Sequence, residues 1–161
     1  MPFESLTDER IFELLTMAKR IRNPQARIKK IEGRDQFNYI VKCDNDAEHE
    51  FEIFSRQNTR AGMEDDFSCG LSWLAPNGES LMLCRYNGSS HSHPNRIENE
   101  VLGYVCHVHK ATERYIRANR KPEGFATETN RYYTLKGAMH CLISDCNISG
   151  LETEPDMPKL F

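Results

Sequence analysis

The chain has 161 residues, 21 basic and 24 acidic side chains, a net charge of −3 and a hydrophobic content of 39%. That length suits one domain able to bury a core without covalent staples, and mixed charge at this apolar content excludes an intrinsically disordered chain. No apolar run reaches the length that spans a bilayer, and the acidic, polar stretch from Phe3 to Arg10 does not read as a signal peptide, so a cytoplasmic protein without a membrane partner is expected.

Residues 7 to 21 read as an amphipathic helix. Thr7 is placed as its N-cap, Asp8 and Glu9 suit its positive end, and Ile11, Leu14, Leu15, Ala18 and Ile21 recur at helical spacing until Asn23-Pro24 stops it. Strands follow at Arg27–Glu32 and Gln36–Cys43. Asp44-Asn45-Asp46 is a turn signal for a hairpin to a strand at Glu50–Ser55. Phe67–Ala75 is the next strand, and Pro76-Asn77-Gly78 turns it into Ser80–Tyr86. Leu81 to Cys84 is continuously apolar, as in a strand covered on both faces. Asn87–Asn99 reads as a loop, and Leu102–His109 as a strand returning beside Ser80–Tyr86. A short helix is expected over Thr112–Asn119, ahead of Pro122-Glu123-Gly124, and Thr134 caps a last helix from Leu135 to about Asn147. The expected fold is one α+β domain over 1–150, an antiparallel sheet of five to six strands with the N-terminal and C-terminal helices packed on one face. A loose tail follows over 151–161.

Charge is uneven along the chain. Residues 19 to 34 carry Lys19, Arg20, Arg22, Arg27, Lys29, Lys30 and Arg34 against Glu32 alone, and residues 110 to 136 carry seven basic side chains against three acidic ones. Such segments read as solvated surface or as a face for nucleic acid or phosphate. The six cysteines, at 43, 69, 84, 106, 141 and 146, form no Cys-x-x-Cys pair and read as reduced thiols in small core positions.

Four of the six histidines fall between positions 91 and 109, as His91-Ser-His93 and His107-Val-His109. On a strand, His107 and His109 project from one face while Cys106 and Val108 point to the other. Three uses compete. In the first, histidines act as general acid and base on an RNA phosphodiester. Arg85 or Lys110 then faces the phosphorane charge, Arg114 and Arg117 track the backbone, and Tyr86 or Tyr115 stacks on a base. In the second, the two pairs bind a metal ion. In the third, the histidines are exposed or locally bonded and do no chemistry. His49 and His140 stand apart from the cluster and are assigned no role.

The run Arg85-Tyr86-Asn87-Gly88, then His91, His93-Pro94-Asn95 and His107-Val-His109, resembles a set of small bacterial proteins of unknown function. More distantly it is similar to the TumE-like toxins of toxin–antitoxin pairs. Asn87 stands where relatives often carry Asp, and His93 where they often carry Asn. The resemblance implies a small α+β toxin acting on RNA, with a cognate antitoxin as protein partner. Taken with the residues, the expectation is a toxin-like endoribonuclease that needs no cofactor and no metal. Arg85, His91, His107 and His109 are its catalytic set, and Tyr86, His93, Lys110, Arg114, Tyr115 and Arg117 bind its substrate. The alternatives are a non-catalytic nucleic-acid- or partner-binding protein of a defence or mobile-element locus, and a metal-dependent hydrolase.

Overall fold

The structure, a computed structural model, describes Phe3, residues 5–43 and residues 49–158. The chain is an α+β protein. Its elements run α1 (Asp8–Thr16), β1 (Lys19–Ile21), β2 (Lys29–Ile31), β3 (Arg34–Lys42), β4 (Glu50–Asn58), β5 (Phe67–Leu74), β6 (Ser80–Asn87), β7 (His93–Asn95), β8 (Glu100–Leu102), β9 (His107–Lys110), α2 (Glu113–Arg117), β10 (Phe125–Glu128), α3 (Leu135–Asp145) and β11 (Ile148–Ser149). Among the described residues no helix is long and apolar enough to cross a membrane.

Among the described residues the main sheet has nine strands in the order β10-β9-β6-β5-β4-β3-β1-β11, with β2 also paired to β3. This corrects the expected five to six. It is mostly antiparallel but mixed, because β11 pairs parallel with β1. The additional strands are short. β1 falls where the sequence predicts the last turn of the first helix, since Ile21 continues that helix's apolar spacing. In the structure the helix ends at Thr16 and Lys19 turns inward, 3% exposed, to cap it. The ammonium donates to Leu15 O at 2.8 Å, Met17 O at 3.0 Å and Cys146 O at 2.9 Å, so Lys19 is not the solvated surface its charged neighbours implied. Both expected N-caps are present. Thr7 Oγ1 accepts from Arg10 N at 3.1 Å and Thr134 Oγ1 from Gly137 N at 3.1 Å, each stabilising its helix by about 1 kcal/mol. Asn147, at φ 54°, ends α3 in a left-handed residue.

Strand alternation places the core on one side of the sheet. Val41, Phe51, Ile53, Leu71, Trp73, Leu81 and Tyr86 join Ile11 and Leu14 of α1 and Ala138 and Leu142 of α3 in one buried cluster. α3 touches β4, β5 and β6, and α1 touches β6. The β3–β4 register runs from Arg34↔Asn58 to Lys42↔Glu50, while the expected turn at Asp44-Asn45-Asp46 lies outside the described residues. The turn at 76–78 is as expected, with Gly78 N donating to Ala75 O at 3.0 Å and Gly78 at φ 87°. The tail, expected to be loose, makes several contacts over its described part: Asp156 accepts from Tyr133 N at 2.8 Å and Thr134 N at 3.0 Å, Thr153 Oγ1 lies 3.0 Å from His140 Nδ1, and Lys136 Nζ is 3.6 Å from Glu154 Oε2.

One irregularity matters for the site. Ser72 pairs with Met82 but Leu71 with Cys84, so Leu83 is an extra residue in β6. The apolar run at 81–84 thus records a bulge that buries Leu83 and Cys84 in succession, rather than a strand covered evenly on both faces. Past the bulge, Cys84 and Tyr86 face the core while Arg85 and Asn87 face the other side.

Candidate functional site

The polar side of the sheet can be read in rows across the strands. One row runs Arg56 (β4), Ser68 (β5), Asn87 (β6), His107 (β9) and Glu128 (β10). The next runs Phe54, Gly70, Arg85, His109 and Ala126. His107 and His109 therefore share one face with Arg85 and Asn87, while Val108 between them belongs to the core. In the second row, Gly70 lacks a side chain for a reason. A Cβ there would lie 2.6 Å from Cys84 O and 2.7 Å from the Phe54 ring.

The segment read as a loop holds a small hairpin of β7 and β8. Asn95 locks it in place. Its side-chain amide, 0% exposed, donates from Nδ2 to Ala126 O at 2.8 Å and accepts at Oδ1 from Ala126 N at 2.8 Å, as a neighbouring strand would. Nδ2 also donates to Glu100 Oε1 at 2.8 Å. Two residues earlier on the same face of β7, His93 is thereby held against β9.

Three imidazoles meet as a result. Ring centroids are 4.5 Å apart for His93 and His109, 5.1 Å for His107 and His109, and 5.7 Å for His93 and His107. A backbone carbonyl can only accept, so each ring's bond to one fixes its tautomer. His107 Nδ1 donates to Val105 O at 2.8 Å, His109 Nδ1 to Glu123 O at 2.8 Å and His93 Nε2 to Gly124 O at 2.7 Å. Each neutral ring then keeps one lone pair, at His93 Nδ1, His107 Nε2 and His109 Nε2. The second of these accepts weakly from Asn87 Nδ2 at 3.4 Å.

The turn Lys121–Gly124 supplies two of those carbonyls. It closes by Gly124 N donating to Lys121 O at 2.9 Å, and it lies so close to Tyr115 that a Cβ on Gly124 would come 2.7 Å from the ring. Glu123 is 5% exposed and uses both ends: its carbonyl holds His109, and its carboxylate sits 4.0 Å from Arg85 Nη1 and 3.9 Å from Lys121 Nζ.

Burial and neighbouring charge disfavour protonation of His107 and His109. His107 and His109 are each 2% exposed. Burial, reinforced by Arg85 and His93, pushes the His109 pKa down to about 3, against the pull of its bond to Glu123 O. Burial also lowers His107, with His93, Arg85 and His91 adding to it and the Val105 bond opposing. For Arg85, burial disfavours the charge, Glu123 favours it and Arg56 disfavours it. The Arg85 Nε and Asn87 Oδ1 atoms are buried without a hydrogen-bond partner.

No family model, curated protein or solved structure matches this chain. The residues must therefore speak for themselves. Of the expected catalytic set, Arg85, His107 and His109 come together. His91 does not join the ring cluster: its side chain is 78% exposed and faces Asp66 Oδ1 at 3.9 Å. His93, assigned to the substrate-binding set, takes the third place instead.

The two tyrosines expected to stack on a base are both buried. Tyr86, 1% exposed, faces the core and its hydroxyl donates to Asp145, which also takes a two-pronged ion pair from Arg131. Tyr115, 2% exposed, donates to Glu98 Oε1 at 2.6 Å. Neither ring is open to a base. Lys110 is exposed but has the opposite strand parity to His109, on the side of Asp145. Arg114 and Arg117 pair with Glu98 and Glu113. His49 lies 3.3 Å from Arg10 Nη2 and His140 is 3.0 Å from Thr153 Oγ1, both outside the cluster.

Asn87, Asn95 and Glu123 went unassigned from the sequence. The cue for Asn95 was its place two residues after His93. Among the described residues, no three His, Cys, Asp or Glu side chains are grouped so as to hold a metal ion.

Proposed function

We propose that the protein cleaves RNA at a phosphodiester through the cluster of His93, His107, His109 and Arg85. The observation that carries the reading is the convergence of three imidazoles, each anchored to a backbone carbonyl, beside one half-buried guanidinium on the polar side of the sheet. The reading takes α1 and α3 as covering the core side together, which leaves the polar side to the substrate. A lone pair on a neutral imidazole can accept the proton of a ribose 2′-hydroxyl as that oxygen attacks phosphorus. The 5′-oxygen leaves and takes a proton from a second, protonated ring, and Arg85 faces the negative charge of the phosphorane between the two steps. His93 and Arg85 are the more accessible members, so they are assigned contact with the phosphate. An anion beside Arg85 also offsets the charge that keeps the buried rings unprotonated. The likeness of the Arg85–His109 run to TumE-like toxins supports the same chemistry, and the cognate antitoxin it implies remains part of the proposal.

The test is cleavage of unstructured RNA oligonucleotides, with EDTA present, and analysis of the product ends. Products ending in a 2′,3′-cyclic phosphate are expected. His93→Ala, His109→Ala and Arg85→Ala should each lose activity at least a hundredfold, on the scale of general acid–base and charge-stabilising groups. His91→Ala should retain the chemical step. Intact RNA at all pH values, or cleavage untouched by replacing all three clustered histidines, overturns the reading.

A metal-dependent hydrolase has one observation in its favour. A ring whose second nitrogen is tied to a backbone carbonyl is the usual arrangement for a metal-bound histidine. Against it, the three free nitrogens do not form a set that could hold an ion in this structure. Stoichiometric zinc or another transition metal in elemental analysis, with activity lost to EDTA, would replace the metal-free reading by this one.

A further inference from the structure

A second concentration of positive charge lies on the same side of the sheet. Arg34, Arg56, Arg60 and His91 line a cavity of about 320 Å³ together with Gly33 and Asp66. It is built by the β2–β3 turn and the loop after β4. Gly33 turns at φ 82°, and the Arg60 guanidinium lies directly against it. A Cβ at Gly33 would come 2.5 Å from Arg60 Cζ, so glycine serves both the turn and the entry of this side chain. The loop is pinned beneath by Thr59 N donating to Gly33 O at 3.0 Å and Arg60 N to Asn58 Oδ1 at 2.9 Å.

The three guanidiniums have few partners. Arg56 Nη2 donates to Ser68 Oγ at 2.9 Å, and Arg34 Nε is buried without any partner. Among the described residues no carboxylate comes within ion-pair distance of Arg34, Arg56 or Arg60. Two carboxylates line the cavity, Glu32 and Asp66, and Asp66 is already engaged. It accepts from Asn58 Nδ2 at 2.9 Å and Ser90 Oγ at 3.3 Å, and faces His91 Nε2 at 3.9 Å. Three forked donors around one cavity, one of them with an unused buried N–H, suit the oxygens of a phosphate group.

Arg56 of the cavity stands in the same cross-strand row as His107, with Ser68 and Asn87 between them, across β4, β5, β6 and β9. Three strand spacings put the two ends about 14 Å apart. We propose that this cavity is a phosphate subsite for the same RNA strand, gripping a phosphodiester a few nucleotides from the one cleaved at Arg85 and the histidines. The inference rests on the ribonuclease reading for the identity of its ligand. Besides burial, His91 disfavours charge on His107 and Arg56 disfavours charge on Arg85, so both cavity residues lie within electrostatic reach of the cluster.

The experiment measures binding apart from cleavage, with His107→Ala/His109→Ala protein and a fluorescent single-stranded RNA of about twelve nucleotides, followed by anisotropy across salt concentrations. Adding Arg34→Gln/Arg60→Gln removes one phosphate contact. It should lower the slope of log affinity against log salt by about 0.7 and weaken binding about fivefold at 0.1 M salt. Arg60→Lys, which keeps the charge, should retain most of the slope. In otherwise wild-type protein the same Arg replacements should raise KM for the long RNA and leave a dinucleotide, too short to span both sites, unaffected. An unchanged slope overturns the subsite. Weakened binding of inorganic phosphate with unchanged RNA affinity makes it a free-phosphate site and overturns the strand assignment. Polyglutamate bound as tightly as RNA, with the same loss in the Arg variants, assigns the cavity to an acidic protein instead. A changed RNA slope in a protein that cleaves nothing leaves the subsite standing and removes only the ribonuclease reading.

Discussion

His109→Asn should flatten the dependence of stability on pH. Asn retains an N–H at the position of Nδ1, so the bond to Glu123 O can persist while the titrating group is gone. In the wild type the folded pKa lies at about 3, against 6.5 for an ordinary histidine. Between about pH 6 and pH 4 the unfolded chain therefore holds a proton on this ring and the folded chain does not. Stability must fall as pH falls, by about 1.4 kcal/mol per pH unit and about 2–3 kcal/mol across that window. The contribution is whole above the unfolded pKa and is lost progressively as pH drops toward the folded one. Urea unfolding of both proteins at several pH values isolates it, because all other groups titrate in both. The difference in stability between wild type and variant should shrink or reverse toward pH 4. Parallel curves would refute the claim that burial keeps this imidazole neutral.

Asn95→Ala leaves the N–H and C=O of Ala126 without their partner and should destabilise by about 3 kcal/mol. Hydrogen exchange at the Ala126 amide should accelerate in parallel with a loss of cleavage, because His93 is released with the hairpin. Gly70→Ala forces a Cβ against Cys84 O and the Phe54 ring, and should lower stability by about 1–3 kcal/mol in a thermal melt. Tyr86→Phe removes the hydroxyl bonded to Asp145. It should reduce stability by about 1–3 kcal/mol in urea while RNA cleavage is retained, since Tyr86 faces away from the histidines.

Strand parity was the most legible part of the site. Side chains alternate strictly, so His107 and His109 had to share a face opposite Val108, and they do. The helix caps at Thr7 and Thr134 were legible because a hydroxyl ahead of an apolar periodic run has a local cause. What escaped was set by distant contacts. β10 is four residues without apolar alternation, and it becomes a strand because β9 offers an unpaired edge and Asn95 covers the other side. β11 is two residues defined by its pairing with β1. His93 reads as a loop residue because the segment from Asn87 to Asn99 is rich in Gly, Ser, His, Pro and Asn, yet its hairpin carries it to the other two rings. Tyr86 and Tyr115 offered aromatic rings for stacking on a base, yet both are buried. Tyr86 lies on the core side of the sheet once the bulge has changed the strand's phase, and the hydroxyls find Asp145 and Glu98.

The extra residue in β6 acts like a frameshift in side-chain direction. Were Leu83 an ordinary strand residue, strict alternation from Leu81 would send Arg85 and Asn87 into the apolar interior and turn Cys84 and Tyr86 toward the histidines. Deleting that one leucine should therefore remove the bulge and leave both halves of the strand in their present orientation. The insertion divides β6 into two segments with independent orientation. An arginine can stand beside the imidazoles only because the chain changes phase one residue before Cys84.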